Sequence, residues 1–207
     1  MVALLSIGCE SDPTASGCEV APGDFNQLPG APYWAERADC VRVAYRGAPP
    51  PGVTAGALEA SLGAAIDAWN GALSGCPASL CLAMSVEEPT DVTVRSVPAG
   101  SDWATLDPTG TVVALTTGRA PGAFVSAEIA LNTSAYAFSA AKNTPGGAHD
   151  LQTVLLHELG HALGLDHSDD LTSALYWGPH GYEPGRQLRE ISSPTDTAGV
   201  CALYGCW

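Results

Sequence analysis

Three of the chain's five histidines fall within eleven residues, in the string His157-Glu158-Leu159-Gly160-His161-Ala162-Leu163-Gly164-Leu165-Asp166-His167. Asp150 is a good helix N-cap, and the apolar run after it reads as a helix until Gly164 permits a left-handed turn. On such a helix His157 and His161 stand one turn apart on one face, so both imidazoles can reach a single ion at about 2.0–2.1 Å. The turn at Gly164 swings the chain back and lets His167 supply a third nitrogen. Three protein ligands leave one coordination position open, and in a zinc site that position holds a water whose pKa falls to about 7. Glu158, beside the first ligand, is placed to take that proton, so the string reads as a hydrolytic zinc site. Chance produces these five fixed positions in roughly one chain of this length in ten thousand. An amphipathic helix with histidines four apart would leave the third histidine unexplained.

Composition agrees with one enzyme-sized globule. A chain of 207 residues buries roughly 70% of its unfolded surface. With 46% hydrophobic and 14% charged residues, it is neither a coiled coil nor a disordered chain. The 8 Lys and Arg against 22 Asp and Glu give a formal charge of -14, a field that repels phosphate backbones and argues against nucleic acid as a partner. Seven cysteines without a Cys-x-x-Cys pair point to an oxidising compartment rather than a zinc knuckle. Short separations suit local disulfides at Cys76/Cys81 and Cys201/Cys206; if Cys9 is set aside, Cys18 and Cys40 remain by elimination, although spacing alone does not fix connectivity.

Residues 1–9 read as the apolar end of a signal peptide with a small residue before Cys9, similar to a bacterial lipoprotein signal. That implies a membrane tether through lipidated Cys9 and an extracytoplasmic, cell-envelope or secreted location. Residues 10–32, polar and punctuated by Pro and Gly, read as a flexible linker, and the domain is expected over 33–207. No other stretch is long and apolar enough to span a membrane. Val41–Arg46 alternates as a strand should, and Thr54 can cap a helix whose Leu58, Leu62, Ile66, Trp69 and Leu73 form one apolar stripe. Further β-type runs lie at 92–97, 111–115 and 127–131, and a last helix is expected from Ser193-Pro194 to about Gly205. The class is α+β, a small sheet with about three helices, the active-site helix covering 150–164.

The string has the pattern HExxHxxGxxH and resembles the metzincin zinc endopeptidases. The chain beyond it resembles their matrixin branch: His167-Ser168, then Ser173-Ala174-Leu175-Tyr176, then a stretch from Asp196 to Leu203-Tyr204-Gly205. The resemblance covers roughly 33–205 and implies a zincin-like domain with a mixed twisted sheet. It further implies one catalytic zinc on His157, His161 and His167, Glu158 as general base, a polypeptide substrate and action as a monomer. Ala127–Asn132 would be the edge strand that pairs with extended substrate. Tyr176 stands where the family's turn methionine packs beneath the ligands, implying a larger floor. Too few residues precede Tyr33 for the family's cysteine-bearing prodomain, so latency by a thiolate is not expected. No His/Asp-rich loop between 102 and 148 matches the family's structural zinc and calcium sites. Calcium has only the Asp166, Asp169 and Asp170 cluster behind it, which reads better as solvated turn carboxylates.

Other residues have plain readings. His149 reads as a surface or helix-start residue, His180 as an exposed loop histidine, and Tyr176 and Tyr182 lack the spacing of an oxyanion-binding tyrosine. Trp34, Trp103, Trp177 and Trp207 read as packing. The loop between Tyr176 and Leu188, with Gly178, Gly181 and Gly185, would set specificity. Two other classes compete with the peptidase. One is an envelope-anchored, catalytically weak or inactive zinc-stabilised peptide-binding module in which Tyr176 closes the site; intact Glu158 argues against it. The other is a lipid-anchored structural protein whose zinc supports folding.

Overall fold

The computed structural model describes residues 28, 34, 39–74, 80–101, 103–119, 126–177 and 183–205. Strand β1 (Val41–Arg46) forms where its alternation predicts and runs parallel to β2 (Leu82–Met84) on one side and β3 (Val92–Ser96) on the other. Parallel neighbours require a crossover, and α1 (Ala55–Leu73) supplies one between β1 and β2. Thr54 caps α1 by accepting from the Ala57 N–H, and the stripe Leu58, Leu62, Ile66, Trp69 and Leu73 is buried along its whole length. Beyond β3 lie β5 (Ser126–Leu131), parallel to it, and β4 (Ala114–Arg119), antiparallel to β5, giving the order β2-β1-β3-β5-β4. A small parallel pair, β6 (Ala137–Ser139) and β7 (Ala148–Asp150), leads into α3 (Leu151–Ala162), which packs against α1; α4 (Pro194–Tyr204) also packs on α1. Among the described residues, no helix is long and apolar enough to cross a membrane.

The α+β class holds, with a mixed sheet and, among the described residues, four helices where about three are expected. The additional short one, α2 (Trp103–Leu106), buries Trp103 against Val97 and Ala130. Two strand expectations need correction. The run at 111–115 enters the ladder only at Ala114, because other groups take the backbone before it: Asp107 Oδ2 accepts from the Val112 N–H at 3.0 Å, and Asn132 Nδ2 donates to the Val112 carbonyl at 3.0 Å. Nor is Ala127–Asn132 an edge: β5 is bonded on both sides, and among the described strands β4 is the outer one.

The disulfide expectations change as well. Cys40 pairs with Cys81, Cα atoms 4.5 Å apart, which excludes both Cys76/Cys81 and Cys18/Cys40. These two cysteines directly precede β1 and β2, whose parallel register opposes Val41 to Leu82, so the sheet itself brings them together. Cys9, Cys18, Cys76 and Cys206 lie outside the described residues. His149 does sit at the start of α3, but it is only 4% exposed, with the Tyr136 ring edge-on at 5.2 Å.

Candidate metal centre

The site is built on a helix fixed at both ends. Asp150 caps α3 by accepting from the Thr153 N–H at 2.9 Å, and its other oxygen meets Arg189 Nη2 at 2.5 Å and Thr144 Oγ1 at 2.7 Å. Burial alone would raise the Asp150 pKa, but Arg189, Thr144 and Thr153 more than offset it and hold the carboxyl below its ordinary value. At the other end Gly164 takes φ 97°, its N–H bonds to the His161 carbonyl and the Leu165 N–H to the Gly160 carbonyl, a Schellman closure. Three aromatic donors hold further carbonyls of this stretch: Trp69 Nε1 to Leu156 at 2.7 Å, Trp34 Nε1 to Ala162 at 2.8 Å and Tyr204 OH to Leu163 at 2.6 Å.

On this helix His157 and His161 turn their rings to one side, and the chain beyond Gly164 brings His167 to the same point. The ligand atoms of the three lie within 4.8 Å of one another. His157 Nδ1–H donates to the Ala174 carbonyl and His161 Nδ1–H to the Leu165 carbonyl, each at 2.8 Å, so both rings present an Nε2 lone pair. His161 and His167 place their Nε2 atoms 3.1 Å apart. Two ligands of a tetrahedral zinc are about 3.3 Å apart, so the spacing fits that ion. Burial is the main force that depresses all three imidazole pKa values, with His161 and His167 adding to the effect at His157, which is held well below its ordinary value. Neutral imidazoles are the form that a metal requires.

A second layer aims these rings. Asp196, 2% exposed in the first turn of α4, accepts from Ser173 Oγ at 2.5 Å and from the Ala174 N–H at 2.7 Å, while the Ala174 carbonyl receives His157. Burial raises the Asp196 pKa against the pull of those hydrogen bonds. The Ser168 N–H donates to the Leu175 carbonyl and the Trp177 N–H to the Ser168 carbonyl, which sets Trp177 beside His167. The two rings stack at 4.5 Å and 24°. Trp177 is 49% exposed, so it lines the cleft rather than the core, contrary to expectation.

Tyr176 is not the buried floor either. It is half-buried, with the Arg186 guanidinium over its ring at 4.8 Å, whereas Leu175 is fully buried against α3. A Cβ on Gly160 would meet Trp69 Cζ2 at 2.8 Å and Leu175 Cδ2 closer still, so glycine there serves close packing beneath the histidines.

Glu158, 2% exposed, shares a cleft of about 230 Å³ with the three histidines, Leu115 and Thr116 of β4, and Leu28, whose N–H donates to the Gly164 carbonyl at 2.8 Å. Thr116 Oγ1 lies 2.5 Å from Glu158 Oε2. Sequence patterns give no signal for Leu28, Thr116 or the stacking of Trp177. The acidic cluster divides its work: Asp166 accepts from the His167 N–H, Asp170 from Thr172 and Ser193, and Asp169 is exposed. His180, Tyr182, Gly178, Gly181 and Trp207 lie outside the described residues.

Comparison with known proteins places this arrangement. The matrixin profile of the peptidases matches residues 57–205. The chain is 27% identical over 188 residues to human Matrix metalloproteinase-20, covering 88% of this chain and 34% of that protein. It is 46% identical over 54 residues to Probable matrix metalloproteinase 095L of Invertebrate iridescent virus 3, covering 25% and 13%. It is 38% identical over 64 residues to Metalloendoproteinase 1 of Glycine max, covering 31% and 20%. The chain thus spans about a third or less of each relative's length.

Proposed function

As this chain belongs to the matrixin family, we propose that it is a zinc-dependent metalloendopeptidase that hydrolyses peptide bonds of extracytoplasmic proteins or peptides. The observation that carries this reading is the convergence of three imidazoles beside one buried carboxyl group. His157, His161 and His167 would hold the ion, and Glu158 would act as general base. Bound zinc would lower the pKa of a coordinated water and polarise the scissile carbonyl. Glu158 accepts a proton from the attacking water and returns it to the leaving amine. β4, bonded within the sheet to β5 alone among the described strands, offers the backbone edge along which an extended peptide would add as a strand. A domain over 33–207 behind a linker and a lipid-bearing Cys9 would work at the cell envelope or outside it, as a monomer. Calcium has no role in this reading.

The test is cleavage of a proteome-derived peptide library by the zinc-loaded protein beside Glu158→Ala. Cuts made by the parent and abolished in the variant, with zinc stoichiometry retained in both, are the expected result. Equal cleavage by the variant would remove the base assignment, and stoichiometric zinc without cuts in either would turn the reading to a peptide-binding module.

A further inference from the structure

One polar group in the cleft is used neither by the three histidines nor by the sheet. Thr116 Oγ1 lies 2.5 Å from Glu158 Oε2 and 3.1 Å from the Glu158 carbonyl oxygen. The hydroxyl has one proton, and the shorter, charge-assisted contact to the carboxylate carries it. We propose that Thr116 is a positioning residue: its hydroxyl fixes the Glu158 carboxylate in the orientation from which it can take a proton from the attacking water. This rests on Glu158 being the base.

The geometry gives three reasons. First, a glutamate side chain loses much rotamer freedom when it is ordered, and a donor on a rigid strand supplies that ordering before substrate arrives. Second, the bond crosses between elements, from β4 to α3, so it ties the base to the sheet and not merely to its own helix. Third, β4 is the outer strand, and Thr116 therefore belongs both to the edge that would receive the peptide and to the group that orients the base. An isosteric loss of the hydroxyl should leave peptide docking intact while misplacing the carboxylate, a defect in kcat rather than in KM.

The experiment compares the zinc-loaded chain with Thr116→Val, Thr116→Ser, Glu158→Ala and the Thr116→Val/Glu158→Ala double variant on one library-selected peptide. Thr116→Val should keep stoichiometric zinc and a KM within about twofold while kcat falls roughly tenfold, and Thr116→Ser should restore kcat to within about threefold. In the Glu158→Ala background the valine should cost nothing further. A valine variant with parental kcat, a serine variant as impaired as the valine, or a loss confined to KM would overturn the assignment. A readout without turnover accompanies these: crystal structures of the zinc-loaded parent and Thr116→Val. A displaced Glu158 carboxylate over unmoved imidazoles supports the proposal; a carboxylate in the same place in both defeats it. If Glu158→Ala cleaves as fast as the parent, the base assignment fails, and the crystal structures still decide whether Thr116 holds the carboxylate.

Discussion

Helix α3 and the segment from 164 to 177 both deliver imidazoles to one point, by different means. On α3 the rings are held from within: His157 is 2% exposed, and the helix that carries it is capped by buried Asp150 and clamped by Trp34, Trp69 and Tyr204. His167 has a side chain 38% exposed, and it is oriented by a turn shaped by Gly164, a single bridge between Ser168 and Tyr176, and the face of Trp177. His157 is therefore part of the core, with His161 half-buried one turn further on, and the placement of His167 is an outcome of loop geometry. Removing one should damage the fold, whereas removing the other should damage only the site.

The largest expected difference breaks this contrast most directly. His157→Ala and His167→Ala should both fail to retain zinc. Only His157→Ala should also lower the stability of the zinc-free protein, by about 3 kcal/mol, because it opens a buried cavity and strands the Ala174 carbonyl. Urea unfolding in chelator checks this, and equal losses in the two variants would dissolve the distinction. Asp196→Ala comes next. It deprives Ser173 and Ala174 of a buried partner and so frees the carbonyl that aims His157, at about 2–3 kcal/mol and a roughly tenfold to hundredfold loss of zinc affinity, measured by competition with a chromophoric chelator.

Acid should act on the core side of the contrast. All three imidazole pKa values are depressed in the folded chain from 6.5, chiefly by burial and most strongly at His157. The unfolded zinc-free chain therefore takes up protons that the folded one refuses. Stability is full above about pH 6.5 and declines as pH falls through the depressed values. Urea midpoints in chelator at pH 8, 6 and 5 should drop in that order, and a flat series would contradict the burial. The smallest effect belongs to the loop: Trp177→Ala should change stability by about 0.5 kcal/mol or less, yet speed zinc release to a chelator a few-fold by uncovering His167. A release rate matching the parent's would reduce the stack to decoration.

Legibility in the sequence divides along the same line. The stripe on α1 and the start and stop of α3 are legible because periodicity, an Asp cap and a positive-φ glycine are local signals. The convergence of His157, His161 and His167 is legible as a pattern, and the turn at Gly164 has the expected hand. Features set by distant partners are not legible. The start of β4 depends on Asp107 capturing the Val112 N–H, and the Cys40–Cys81 bond depends on β1 and β2 becoming neighbours. Leu175, one residue before the position marked by family resemblance, fills the space under Gly160 because the 173–176 turn hangs from Asp196. Thr116 looks like any strand-former until β4 is laid against α3.

The hold of Asp196 on Ala174 has a consequence for the order in which the molecule is made. A chain leaving the ribosome presents His157, Glu158, His161 and His167 well before residue 196 is available. Until α4 docks, the Ser173 hydroxyl and the Ala174 N–H lack the carboxylate that helps to fix the carbonyl facing His157. The string from His157 to His167 is thus complete some thirty residues before its first ring can be aimed, and a product truncated ahead of Asp196 would carry all three histidines and the 173–176 turn without the carboxylate that anchors that turn.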